Sequence, residues 1–192
     1  MVLIRAALLA LLAWPAHADE GAQATIAAPF PANFGGAYVL TDHHGTTRTQ
    51  VDPAGHLQLI FFGYASCEAI CTVALPIMSD VATALAQDGV ATTPLMITID
   101  PERDTVASMG PDLERFAPGL TGLTGSEAAL AQARALFHVE RKVLFEDPMG
   151  GPVYAHGSHI YVMDQDGAFL TLLPPILSTD RMVEIVKSYV TR

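Results

Sequence analysis

The sequence predicts an α/β fold in which helices flank a central mixed sheet. Strand-like and helix-like patterns alternate from residue 57 to the end of the chain, as they do in this class. The 192 residues are 51% hydrophobic and 16% charged, which suffices for one domain with a substantial core. A largely apolar run over residues 57–64 predicts a buried strand, and a helical pattern follows it closely.

The remaining elements follow from periodicity and from capping residues. Asp104 or Thr105 is the predicted N-cap of one helix, Ser126 opens another, and residues 164–167 form the turn of a hairpin. In chain order the pattern predicts a helix with apolar residues from 73 to 85, a strand over 92–99, a helix over 106–116, a short strand over 122–124, a helix over 126–137, a strand over 139–145, a Pro/Gly loop over 146–154, a hairpin with strands 160–163 and 168–172, and a helix over 179–190.

Residues 1–18 have the pattern of a secretory signal peptide. Arg5 supplies the positive charge, residues 6–14 form the apolar segment, and Ala-His-Ala at 16–18 matches a cleavage site. An uncleaved membrane anchor is the alternative, but the apolar run is shorter than the ~20 residues of a comfortable span. We therefore expect export to a bacterial periplasm, a flexible mature N-terminus over 19–33, one domain over 34–192 and no membrane span in the mature chain.

The chain is acidic, with a formal net charge of −10, and removal of the signal would take away Arg5 and no acidic residue. This charge argues against nucleic acid or an anionic lipid surface as a partner. Cationic ligands or a basic patch on a partner protein fit the charge, and so does solubility alone.

Cys67 and Cys71 are the only cysteines. Residues four apart on a helix lie on one face with Cβ atoms about 5–6 Å apart, so the two sulfurs can share one metal ion or form a disulfide. A helix start would also favour the thiolate forms. In an oxidising periplasm a structural disulfide is an alternative, but so short a loop gains little entropy from a crosslink, which favours a redox-active pair.

A cysteine pair where the first long strand meets its helix is the thioredoxin-like arrangement. The segment that holds this pair and three further segments carry a wider likeness. The motifs are Phe-Gly-Tyr-Ala-Ser-Cys-Glu-Ala-Ile-Cys at 62–71, Thr-Ile-Asp-Pro-Glu-Arg-Asp-Thr at 98–105, Leu-Thr-Gly-Leu-Thr-Gly at 120–125, and His156 five residues before Tyr161. From Phe34 onward the chain resembles the Sco/SenC family, exported thioredoxin-like proteins that bind copper and help to assemble the binuclear copper site of cytochrome c oxidase.

The resemblance implies a thioredoxin-like fold with an N-terminal β-hairpin extension. It also implies a copper site with Cys67, Cys71 and His156 as ligands, and soft thiolates with an imidazole suit Cu(I) or Cu(II). The implied partners are a copper-receiving respiratory oxidase subunit and a periplasmic thiol reductant or thioredoxin-like protein.

The immediate surroundings of the implied ligands depart from the family pattern. Proline usually follows each cysteine, where this chain has Glu68 and Thr72, and Asp and Ser or Thr usually flank the histidine, where it has Ala155 and Gly157. The Glu68 carboxylate could lie beside the sulfurs or the metal, or it could be a solvated acid in the first turn of the helix.

Other candidate ligands have ordinary explanations as well. His159 competes with His156, although counting back from Tyr161 selects His156. His43 and His44 could form a second copper site or lie on the surface, and Met149, in the predicted loop before His156, is a further candidate. Met78, Met96 and Met163 fit core packing.

The segment 100–105 ends a strand and starts a helix, where an Arg–carboxylate pair would be structural. A second hypothesis is that Asp104 and its neighbours orient the copper loop.

Two functions are consistent with these residues. The first is a copper metallochaperone. The second is a thiol–disulfide oxidoreductase in which Cys67 and Cys71 act as a redox pair without copper. A histidine requirement separates them, because disulfide exchange does not need His156. A peroxiredoxin-like peroxidase fits poorly, since Tyr64 and Glu68 stand where its active site has other residues.

Overall fold

The structure is a computed structural model that describes residues 34–65, 67 and 70–190. The predicted signal peptide, the predicted flexible segment 19–33 and Glu68 lie outside the described residues. The strands are β1 Val39–Asp42, β2 Thr47–Thr49, β3 Leu57–Gly63, β4 Thr92–Thr98, β5 Thr121–Thr124, β6 Lys142–Asp147, β7 Gly151–Ala155, β8 Ile160–Met163 and β9 Phe169–Leu173, and the helices are α1 Cys71–Gln87, α2 Val106–Phe116, α3 Glu127–Leu136 and α4 Thr179–Val190.

Seven strands form one mixed sheet in the order β2-β1-β5-β4-β3-β8-β9. Strand β3 is parallel to β4 and antiparallel to β8, and β4 is parallel to β5. Residues 58–63 of β3 are all buried, whichever way their side chains point, so both faces of this strand are covered. The predicted buried strand is confirmed, and it lies in the interior of the sheet.

Helices α2 and α3 begin at the predicted capping residues. Thr105 caps α2 by accepting a hydrogen bond from the backbone N–H of Ser108 at 3.2 Å, and Ser126 caps α3 through the N–H of Ala129 at 3.2 Å. Helix α4 has the predicted bounds. None of the helices in the described part of the chain is long and apolar enough to cross a membrane.

Strands β1 and β2 form the expected N-terminal hairpin, but this hairpin is part of the central sheet. Strand β1 pairs with β5, with Thr41 opposite Thr124. The Asp42 carboxylate accepts hydrogen bonds from the N–H groups of His44 and Thr46 at 3.0 and 2.8 Å, which closes the turn.

The prediction of a loop over 146–154 is wrong, because β6 and β7 form a hairpin that is a separate two-stranded sheet. The Asp147 carboxylate accepts hydrogen bonds from the N–H groups of Met149 and Gly150, at 2.7 and 2.8 Å, and forms the turn. Gly151 and Pro152 look like loop signals in the sequence. Pro152 is tolerated because a two-stranded ribbon has free edges that require no N–H donor.

The turn between β8 and β9 needs glycine at 167 for two reasons, a positive φ and a close backbone contact. Variants at Gly167 and Gly45 separate the two effects. Gly167 has φ +84°, and a Cβ there would lie 2.7 Å from the backbone oxygen of Gln50, whereas Gly45 has φ +85° with open space around it. Gly45→Ala should lower the free energy of unfolding by about 1–2 kcal/mol through backbone strain alone. Gly167→Ala should cost about 1–3 kcal/mol more through the added clash.

Chemical denaturation of both variants measures this difference. Equal losses would contradict the clash and leave backbone strain as the whole effect.

Candidate metal centre

The side chains of Cys67, Cys71 and His156 converge at one point of the structure. Their potential ligand atoms all lie within 4.8 Å of one another. Among the described His, Cys, Asp and Glu residues, no other group of three or more comes together in this way. Neither cysteine forms a disulfide, both are buried, with 4% and 2% exposure, and His156 is half-buried.

A turn, and not helical spacing, brings the two sulfurs together. Only Cys71 belongs to α1, where it is the first residue, and Cys67 lies in the preceding loop with its N–H donating to the Tyr64 carbonyl at 3.1 Å. The expectation of two cysteines on one helical face is therefore wrong. The loop follows β3 directly, so the end of that strand determines where the sulfurs lie.

The thiol of Cys71 is not activated in this arrangement. A hydrogen bond with the side chain of Cys67, together with burial, raises the pKa of Cys71 above its usual range. This is the opposite of the thiolate expected at a helix start, because the sulfur is removed from water. A metal ion that binds here must displace the thiol proton.

Gly63 is a site residue that the sequence alone did not single out. An ideal Cβ at this position would lie 3.0 Å from the Cys71 sulfur and 2.8 Å from the Phe61 ring. Any side chain at the end of β3 would therefore push into the sulfur. Its signal in the sequence is a glycine within the apolar run over residues 57–64.

His156 follows β7, and a backbone contact orients its ring. Its Nδ1 lies 2.9 Å from the carbonyl oxygen of Gly157, a pure acceptor, so the contact is a hydrogen bond when Nδ1 carries the proton. That tautomer leaves the lone pair of Nε2 for a metal. The ring meets the Phe61 and Tyr64 rings nearly edge-on, with centroid distances of 5.8 and 6.0 Å.

Tyr64 is a second residue that sequence reasoning did not assign to the site. It is 4% exposed, it hydrogen-bonds the Cys67 side chain, and burial with the neighbouring cysteine raises its pKa to about 12. Its ring also packs nearly perpendicular to that of Tyr154, at 5.4 Å between centroids. Tyr64 thus connects the segment between β3 and α1, which we call the cysteine loop, with the strand that leads to His156.

The other candidate ligands lie elsewhere. His159 is exposed and is not in the cluster, and Met149 is 97% exposed at the tip of the β6–β7 hairpin. His43 uses Nδ1 to accept the N–H of Gly122 at 2.9 Å, and burial lowers its pKa. The core packing predicted for three methionines is confirmed by their burial. They are Met78, Met96 and Met163.

Among the positions that depart from the family pattern, the structure describes three. Thr72 is exposed, whereas Ala155 and Gly157 are half-buried on either side of His156.

Asp104 contacts the cysteine loop at Ala65. Its Oδ2 accepts hydrogen bonds from the N–H of Ala65 at 3.0 Å and the hydroxyl of Thr98 at 2.6 Å, while Thr105 takes the capping role. Burial outweighs these hydrogen bonds and raises the pKa of Asp104 to about 6. The hypothesis that this residue orients the loop gains a physical contact, and its effect on metal binding stays a prediction.

Asp104→Asn should change how stability depends on pH. The asparagine oxygen can accept the same two hydrogen bonds but cannot ionise. In the wild type the pKa of Asp104 is raised from 3.8 to about 6 on folding, so its favourable contribution is full below pH ~4 and is lost as the pH rises through about 6. The free energy of unfolding of wild type relative to the variant should fall by up to about 3 kcal/mol over that interval.

Denaturant unfolding of the reduced, metal-free protein at several pH values measures this effect. Asp80→Asn, which changes an exposed carboxyl on α1, is the matched control. Parallel pH curves for wild type and Asp104→Asn would contradict the assignment.

Comparison with known proteins places these features in a family. The SCO1/SenC family model matches residues 26–191. The mitochondrial SCO2 homolog of Danio rerio is 33% identical over 156 residues, which is 80% of this chain and 56% of that protein. The chain therefore spans little more than half the length of that relative.

Two solved structures support the same assignment. ScoI of Bradyrhizobium japonicum with copper bound is 33% identical, with a TM-score of 0.72 over 81% of this chain and 99% of that chain. Yeast Sco1 with copper bound is 27% identical, with a TM-score of 0.74 over 83% and 89% of the two chains. The predicted thioredoxin-like α/β fold is confirmed by this likeness. Because the family model covers most of its length, the chain belongs to the SCO1/SenC family.

Proposed function

We propose that this protein is a copper metallochaperone that binds one copper ion through Cys67, Cys71 and His156 and delivers it to the binuclear copper site of a cytochrome c oxidase subunit. The observation that carries the proposal is the convergence of two sulfurs and one imidazole within 4.8 Å. Copper is the cargo of this reaction and not a permanent part of the protein.

The chemistry of the donors supports copper. Thiolates are soft ligands that select Cu(I), and imidazole binds copper in either oxidation state. A set of two sulfurs and one nitrogen is not the oxygen-rich set that Mg²⁺ or Ca²⁺ prefers. Zinc also accepts two cysteines and one histidine, so the choice of copper rests on the copper-bound relatives. The related ScoI of Bradyrhizobium japonicum and yeast Sco1 were both solved with copper bound, which supports the same cargo here.

The exposure of the three residues supports transfer to a partner. Both cysteines are almost completely buried, whereas His156 is half-buried, so an incoming ligand would approach from the side of the imidazole. A site with three protein donors among the described residues also leaves room for the ligand of a recipient to join before one of the donors leaves. The oxidase as recipient follows from the family resemblance of the sequence.

The proposed place of action is the bacterial periplasm, on the basis of the signal pattern over residues 1–18. Thiols in that compartment tend to become disulfides. The proposal therefore includes a periplasmic thiol reductant or thioredoxin-like partner that keeps Cys67 and Cys71 reduced.

Anaerobic Cu(I) competition titration of the reduced protein tests the ligand set. Wild type should bind one Cu(I) tightly, and Cys67→Ala or Cys71→Ala should abolish tight binding. His156→Ala should weaken binding by more than the roughly 10- to 100-fold typical of a group that only supports a ligand. His159→Ala, which removes an exposed imidazole three residues away, is the matched control and should bind as wild type does.

Equal losses from the two histidine variants would mean that the wrong imidazole has been assigned. Absence of tight Cu(I) binding by the wild type would refute the proposed chaperone function.

A second function, thiol–disulfide exchange, is favoured by one observation, namely that the sulfurs of Cys67 and Cys71 lie within 4.8 Å of each other without forming a disulfide. One thiolate would attack a partner disulfide, and the other would resolve the mixed disulfide. The partner would then gain two electrons and two protons while Cys67 and Cys71 become a disulfide.

Disulfide exchange predicts a different dependence on His156. With a recipient domain whose copper-site cysteines are oxidised, copper-free wild type and His156→Ala should reduce the partner at similar rates, and Cys67→Ala should release no reduced partner. Free-thiol labelling of the partner over time measures this. No reduction by the wild type would leave copper delivery as the only function of the cysteine pair.

A further inference from the structure

Arg103 contacts three different parts of the structure from the turn after β4. Its Nε donates to the carboxylate of Asp100, which is 1% exposed, and this pair confirms the predicted Arg–carboxylate interaction. Its two terminal nitrogens donate to backbone carbonyls of the β6–β7 hairpin, at Gly150 and, at 2.7 Å, at Pro152. Its guanidinium carbon lies 5.4 Å from the centroid of the Tyr64 ring.

These contacts matter because the hairpin has no strand pairing with the central sheet among the described residues. An isolated two-stranded hairpin is only marginally stable in water. His156 follows the last residue of β7, so the position of its imidazole depends on what fastens the hairpin to the rest of the domain. Cys71, by contrast, is the first residue of α1, and Cys67 lies between β3 and α1.

The hairpin backbone is shaped to receive the guanidinium. Gly151 lies between the two accepting carbonyls with φ +76°, and a Cβ there would be 3.1 Å from Nη1 of Arg103. Arginine also suits the task because its planar fork donates in several fixed directions at once. Lysine has the same charge but presents its donors from a single nitrogen, so it cannot span the Asp100 carboxylate and two carbonyls in this geometry.

Both ligand-bearing segments are thus held by adjacent residues of one turn. Asp104 accepts from Ala65 in the cysteine loop, whereas Arg103 holds the hairpin and covers the Tyr64 ring. The geometry points to Arg103 as a positioning residue, and we propose that it sets the place of the His156 imidazole relative to the two sulfurs by fastening the β6–β7 hairpin to the cysteine loop. This inference rests on the proposed copper site.

A double-mutant cycle tests the inference. Cu(I) affinity is measured for Arg103→Gln and Arg103→Lys in the wild-type background and again in the His156→Ala background. In the wild-type background both variants should lose roughly tenfold or more in affinity, as supporting groups of metal ligands do. Without His156, the same changes should alter affinity by less than about twofold, because the imidazole that Arg103 positions is no longer there.

A spectroscopic signature distinguishes positioning from general stability. In the Cu(II)-loaded protein, the nitrogen hyperfine splitting from His156 should weaken in Arg103→Gln and Arg103→Lys. Arg115→Gln is the matched control, since Arg115 lies on the exposed side of α2 with an exposed partner, Asp112, and it should preserve both affinity and spectrum.

Three outcomes would overturn the inference. Equal losses with and without His156 would indicate a general structural role, rescue by Arg103→Lys would indicate that charge matters and not geometry, and unchanged affinity would remove the role altogether. In all three the wild type still binds Cu(I) through His156, so the proposed function stands. A wild type that does not bind Cu(I) overturns both proposals.

Discussion

The candidate site depends on the pairing of β3 with its two neighbours. Strand β4 runs parallel to β3 with Thr98 opposite Gly63, so the cysteine loop and the turn that carries Asp100, Arg103 and Asp104 leave the sheet side by side. Strand β8 runs antiparallel to β3, so the first residues of β8 lie beside the last residues of β3. His156 comes shortly before β8 in the chain and therefore lies at the same end of the sheet. Parallel and antiparallel pairing around one buried strand therefore brings three distant segments to one place.

Burial of ionisable side chains at this end of the sheet determines their protonation. The Cys71 thiol and the Asp104 carboxyl are both removed from water, and the pKa of each is raised. Negative charge in the metal-free site is therefore unfavourable. A bound cation would reverse this balance, because a coordinating thiol is deprotonated outright by the charge of the metal. Binding to the folded state alone would then also stabilise the fold by mass action.

The cysteines and the histidine are held in different ways. Cys71 begins α1 and Cys67 lies between β3 and α1, and both of these elements pack in the core. The imidazole is attached to a two-stranded hairpin that Arg103 and the Tyr64–Tyr154 ring contact join to the rest of the domain. In the proposed chaperone, copper would leave from the side of the most exposed of the three proposed ligands, which is His156.

The sequence by itself determined most of the local elements and, through its resemblance to the Sco/SenC family, the candidate ligands. Periodicity, the caps Thr105 and Ser126 and the Asp164 turn act over a few residues, so they were predictable without knowledge of the tertiary structure. Only the tertiary structure decided the rest, because it depends on contacts between residues far apart in the chain. It put Cys67 outside the helix, raised the pKa of Cys71, made a hairpin of residues 142–155, and linked Asp104 to Ala65 across 39 residues and Arg103 to Pro152 across 49. Strand order and the packing of distant segments set these contacts, and a local pattern of residues does not specify which distant segments meet.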